Sequence, residues 1–144
     1  MKVEVVIKQG LAEAYAVIYT GKLTEEIESA VSFLQSHDAV ITASADGKKV
    51  VLRPQEIFMA RVEEDVLALY TQNKKYVCKK RLYEMAELLG GSFLQISKGT
   101  VVNLAQVKYV EPSLGGLMKI KLKNGLSDYI SRNYLPPFKK YLGL

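Results

Sequence analysis

A chain of 144 residues with a formal net charge of +5 has room for one domain, or one domain with a small appendage, and for a core that folds without staples. Its single cysteine, Cys78, excludes an internal disulfide and a cysteine-based zinc site, and its single histidine, His37, leaves Ser–His–Asp and Cys–His catalysis without support. No apolar run reaches signal-peptide or bilayer-spanning length, so the expectation is a soluble cytoplasmic protein that is not an enzyme and needs no cofactor or metal.

The charge is divided unevenly. Residues 1 to 40 carry three Lys against six Asp and Glu, net −3, and residues 41 to 144 carry seventeen Lys and Arg against nine acids, net +8. Only the second part has the balance of a polyanion binder, because a basic surface gains affinity by releasing counterions from phosphates. Spread around a β domain, the same lysines would merely solvate it.

In chain order, Val3, Val5 and Ile7 alternate with polar neighbours, and residues 14–19 are a second run rich in strand formers. A small antiparallel pair is expected there. A helix follows, capped by Thr24, with Ile27, Ala30, Val31 and Leu34 as its apolar stripe and Glu25, Glu26 and Glu28 at its positive end. The pattern breaks at residues 36–38, where His37 caps or solvates the helix end. That break divides a strand-and-helix element, residues 1–38, from the main domain, residues 39–144.

Beyond it the signals are mainly β. Asp46-Gly47 and Asn124-Gly125 lie between apolar runs and mark two hairpins, because these residue types tolerate positive φ. Residues 57–62, 66–71 and 75–78 supply further strands. Residues 80–89 form the one good helix, closed by Gly90-Gly91, and a last helical turn or two near residues 137–142 packs across the sheet. Glu63, Glu64 and Asp65 are adjacent acids in a turn, with too few ligands nearby for a divalent metal. Gly115-Gly116 lacks the Lys-Ser/Thr of a phosphate loop. The nine tyrosines could stack on unpaired bases, but their alternating strand positions favour packing.

The polar residues that interrupt the later strands are donors: Lys98, Asn103 and Arg132. Residues 50–142, including LRPQEIF, FLQISKGTVVNLAQVKYVEP and MKIKLKNGLSDYISRNY, resemble the LytTR DNA-binding domain family in order throughout. The resemblance implies stacked small β-sheets and a transcription regulator that inserts loops, not a recognition helix, into successive major grooves. It implies double-stranded DNA with a direct-repeat operator as partner. Lys98 takes a base-reading or phosphate-gripping position, with Ser97 and Thr100 beside it and Gly99 where the family usually has Ser. Arg132 takes a position from which its fork reaches guanine, and Asn133 can hold a phosphate. Asn103 ties down the turn into Leu104-Ala105, and Lys74, Lys75, Lys79 and Lys80 form a basic run that could grip the backbone. Where the family places a third contact, this chain has Glu63, Glu64 and Asp65, so that contact is lost or recoded.

Residues 1 to 40 are too short for the receiver domain of many such regulators. The resemblance is to a compact branch, often restrained by a small membrane protein, and the acidic element is expected to form a homodimer or receive that partner. A protein-interaction module and a single-stranded nucleic-acid binder on the same fold stay open as alternatives.

Overall fold

In the computed structural model, which describes residues 1–36 and 39–144, Asp46 (φ 52) and Gly47 (φ 74) both take left-handed backbone conformations. They close the hairpin between β1 (Ile41–Ala45) and β2 (Lys48–Leu52). Glu64 (φ 50) and Asp65 (φ 63) do the same between β3 (Met59–Glu63) and β4 (Val66–Tyr70). After β5 (Lys75–Cys78) comes α2 (Leu82–Leu89), the helix that follows α1 (Glu25–Ser36). The Arg81 N–H donates to the Glu84 carboxylate at the start of α2, and Gly90 (φ 80) ends it.

The remaining strands are β6 (Phe93–Ser97), β7 (Thr100–Asn103), β8 (Val107–Pro112), β9 (Met118–Leu122) and β10 (Ser127–Ile130), before a final helix α3 (Leu135–Leu142). A seven-stranded sheet runs β2-β1-β5-β4-β3-β7-β6 and a three-stranded sheet runs β10-β9-β8. All recorded pairs are antiparallel. The fold is mainly β with three short helices.

Two cores lie on opposite faces of the large sheet, and the two-residue period of its strands sends neighbours into different cores. Ala60, Leu69, Val101 and Phe93 face α2, where Met85 and Leu89 cover them. Met59, Val102 and Ile96 face Ile120, Leu122 and Ile130 of the small sheet and Phe138 of α3. β7 (Thr-Val-Val-Asn) is therefore buried on both sides, so its polar ends, Thr100 and Asn103, must find hydrogen-bond partners inside the protein.

Thr24 caps α1 through its side-chain oxygen, which accepts from the Ile27 N–H at 3.4 Å. The expected strand pair before α1 is not formed: residues 1–24 contain no strand, and their apolar side chains are exposed except for the half-buried Ile18. Each run has an apolar face, but an isolated two-stranded ribbon cannot bury one. His37 and the expected domain boundary at residues 37–38 lie outside the described residues. Among the described residues no helix is long and apolar enough to cross a membrane, and no group of three or more His, Cys, Asp or Glu is placed to hold a metal ion.

Candidate nucleic-acid interface

The two sheets bring together two chain segments that are more than thirty residues apart in the sequence. Lys98 and Gly99 form the turn between β6 and β7, and Ser131, Arg132 and Asn133 follow directly on β10. The Ser131 N–H donates to the Ile96 carbonyl at 2.9 Å, which seats the end of the small sheet on the edge strand of the large one. Ser97, Lys98, Gly99, Ser131, Asn133 and Tyr134 then surround one open hollow of about 420 Å³. Lys98 and Asn133 are exposed on its rim, and Lys98 carries no ion pair among the described residues.

Arg132 is held by the loop between β8 and β9. Its Nε–H donates to the Gly115 carbonyl at 3.0 Å, and one Nη2–H donates to the same oxygen. Gly115 (φ 71) and Gly116 (φ 76) take left-handed conformations to present that oxygen, which is the use of a glycine pair that lacks phosphate-loop chemistry. A guanidinium has five N–H groups in a planar fork. The carbonyl occupies the side-on pair, so the end-on pair, one N–H from each Nη, stays open for an acceptor with guanine's O6 and N7 geometry.

Between the two sheets lies a network that sequence reasoning missed. Arg61 on β3 donates to Glu63 (Nε, 2.8 Å), to Asp128 on β10 (Nη1, 3.3 Å) and to the Tyr70 hydroxyl (Nη2, 3.2 Å). The Tyr70 hydroxyl donates to Glu63, and Lys75 Nζ lies 2.7 Å from the same carboxylate. Burial of Arg61 works against its charge, but hydrogen bonds to Glu63, Tyr70 and Asp128 outweigh it and raise its pKa. Hydrogen bonds from Lys75 and Tyr70, with the Arg61 guanidinium beside them, hold the Glu63 carboxyl down to about 2.

These observations relocate several expected contacts. Thr100 is only 3% exposed and its hydroxyl donates to Asp128 at 3.4 Å, so the structure does not bring it to the surface. Asn103 is buried; its amide N–H donates to the Ile57 carbonyl and its oxygen accepts from the Ala105 N–H, both at 3.0 Å. The basic run is split. Lys74 pairs with Asp46 at 2.8 Å and Lys75 with Glu63, so both charges are matched within the chain, while Lys79 and Lys80 lie about 13 Å further along an extended strand. Registers Arg61↔Thr100 and Leu67↔Cys78 put Lys79, Lys80, the Glu64-Asp65 turn and the Lys98-Gly99 turn at one end of the large sheet. Glu63, read from the sequence as one of three adjacent turn acids, anchors the network, and Glu64 and Asp65 are exposed at the turn.

The family model of the LytTr DNA-binding domain matches residues 47–143. The chain belongs to this family. Uncharacterized HTH-type transcriptional regulators of Staphylococcus aureus, from strains NCTC 8325 / PS 47 and COL, are each 25% identical over 146 residues, covering 100% of this chain and 99% of theirs. The solved LytTr DNA-binding domain of a methyl-accepting/DNA response regulator from Bacillus cereus superposes with a TM-score of 0.69 at 19% identity, over 74% of this chain and 99% of that one. That likeness shows the fold. In this LytTr protein strands separate α1 from α2 and α2 from α3, so the described residues contain no helix–turn–helix unit. Arg61 and Asp128 left only a faint signal, charges within short strand runs, and nothing local pairs residues 67 positions apart.

Proposed function

We propose that this protein is a transcription regulator that binds duplex DNA sequence-specifically, presenting loops from one sheet end to successive major grooves. The observation that carries the reading is the convergence of Lys98, Ser131 and Asn133 on one hollow, with the open fork of Arg132 fixed beside it. Arg132 reads guanine, Lys98 and Asn133 contact phosphate or base edges, and Lys79 and Lys80 extend the grip along the backbone. Family membership and the relatives' naming as transcriptional regulators support this assignment. Selection of bound duplexes from a random pool tests it: a defined motif repeated at helical spacing is expected, with affinity falling about 0.9 log units per phosphate contact per log unit of salt. Recovery of no motif and a flat salt dependence would remove the proposal.

A second reading has one observation in its favour. Tyr109 and Tyr129 stand 45% and 47% exposed on the outer face of the small sheet, opposite Lys121 and Lys119 in register. Aromatic and basic side chains on an open sheet suit stacking on unpaired bases. A preference for single strands over duplex at equal salt, lost in Tyr109→Ala with Tyr129→Ala, would favour that reading.

A further inference from the structure

Residues 1–23 lie outside the stretch matched by the LytTr family model, yet the Staphylococcus aureus relatives match the chain over its whole length. The segment runs out, turns at Gln9 and Gly10 (φ 88), and starts beside α1, with the Met1 amino group 3.9 Å from Glu26. Its base is fastened to the domain. Glu25 pairs with Lys140 at 2.8 Å, and a Cβ added at Gly91 would stand 2.9 Å from the Ser29 carbonyl, so the α1 backbone rests directly on the loop before β6. Its apolar side chains nevertheless find no cover within the chain: Val5, Val6 and Ile7 are 83%, 67% and 89% exposed. A segment with a strand's alternating pattern, no strand partner in the chain and a bare apolar row is a template for pairing with another chain.

We propose that this segment is a dimerisation strand whose partner is a second copy of the chain, paired antiparallel about a two-fold axis through Val6. In that register Val5 faces Ile7 of the other copy, Val6 faces itself, and Glu4 faces Lys8, so from residue 4 to residue 8 apolar meets apolar and acid meets base, while Val3 faces Gln9 and Lys2 faces Gly10. Moving the axis to Val5 sets Lys2 against Lys8 and Glu4 against Val6. Moving it to Ile7 sets Val6 against Lys8 and Val5 against Gln9. Only the Val6 axis pairs Glu4 with Lys8 and gives Val5, Val6 and Ile7 apolar partners, and such self-complementarity is what an isologous interface requires. A stable interface takes roughly 20 to 30 residues a side, a number that residues 1–36 can supply.

Sedimentation or light scattering of the full chain without DNA is expected to show a dimer at micromolar concentration. Val6→Cys should form a disulfide-linked dimer under mild oxidation and Val5→Cys should not, because residues on the axis face each other while residues one step off it are displaced beyond bridging distance. Cys78 is buried and supplies no competing crosslink. Glu4→Lys should weaken the dimer about tenfold, since two opposite-charge pairs become like-charge pairs, and Glu4→Lys with Lys8→Glu should restore it. A wild-type monomer, equal crosslinking at positions 5 and 6, or no rescue by the double exchange would overturn the proposal.

Discussion

Asp128 joins the two sheets three residues before Ser131, and its removal has a calculable cost. Its carboxylate accepts from Arg61 Nη1 on β3 at 3.3 Å and from the Thr100 hydroxyl on β7 at 3.4 Å. Arg61 and Asp128 are 31% and 23% exposed at the side chain, so the pair is only partly screened. Asp128→Ala removes one charge-assisted hydrogen bond, worth about 1.5–3 kcal/mol, and leaves a buried hydroxyl without its acceptor at about 1 kcal/mol or more. Arg61 keeps Glu63 and Tyr70, which limits the loss, so about 2–3 kcal/mol is expected. For a domain of this size that lowers Tm by roughly 7–14 °C. Urea titration with thermal melts measures the loss, and Arg61→Met with the double variant isolates the coupling, expected at about 1–2 kcal/mol. Because the clamp sets the Lys98 turn against Ser131 to Asn133, Asp128→Asn should lose duplex affinity at temperatures where it is fully folded. A destabilisation under 0.5 kcal/mol, or additive single variants, would refute this account of the junction.

Glu63, depressed from 4.5 to about 2, contributes stability that is fully present above pH 4.5 and lost as the pH falls through 2, because the unfolded chain binds the proton first. Glu63→Gln should cost about 1–3 kcal/mol at neutral pH after allowance for screening and flatten the acid limb of stability between pH 4.5 and 2; denaturant midpoints against pH measure both. Gly99 does not take a positive φ, and a Cβ there would stand 3.8 Å from Val62, so Gly99→Ser should leave Tm unchanged or slightly higher. Its hydroxyl should tighten duplex binding about two- to tenfold, the worth of one hydrogen bond, as titration at fixed salt would show. Gly116→Ala places a side chain on a left-handed backbone (φ 76) beside Arg132 Nε at 3.7 Å. It should cost about 1 kcal/mol of stability and reduce operator preference more than random-duplex affinity.

The large sheet was legible because its signals are local. Asp-Gly at residues 46 and 47 and Gly after residues 80–89 each state a backbone geometry that only a few residue types adopt, and the strand runs alternate or stay apolar according to how many faces are buried. Lys98, Arg132 and Asn133 were singled out through the order of the family's segments, and the structure sets Lys98 and Asn133 on one hollow with Arg132 next to Asn133 in the chain. What was not legible depended on contacts across the chain. Lys75 resembles its neighbours in sequence but meets Glu63 twelve residues away, and Thr100 looks like a turn hydroxyl but faces Asp128 from a strand buried on both sides. The pattern of residues 3–7 gives a strand its faces, but a strand also needs a neighbour, and the chain provides none.

The central claim is that Arg132 reads a base from a fork fixed by the Gly115 carbonyl. Its most direct test is the ratio of operator to random-duplex affinity in wild type, Arg132→Ala and Arg132→Lys, with Tm checked alongside. A bidentate guanine contact is worth roughly 1–3 kcal/mol of discrimination. Arg132→Ala should therefore lose that much of the ratio and flatten the preference at one base pair. Arg132→Lys should keep random-duplex affinity, because the charge remains, and lose part of the ratio with the planar fork. Equal losses on operator and random duplex in both variants would make Arg132 a phosphate contact and contradict the account.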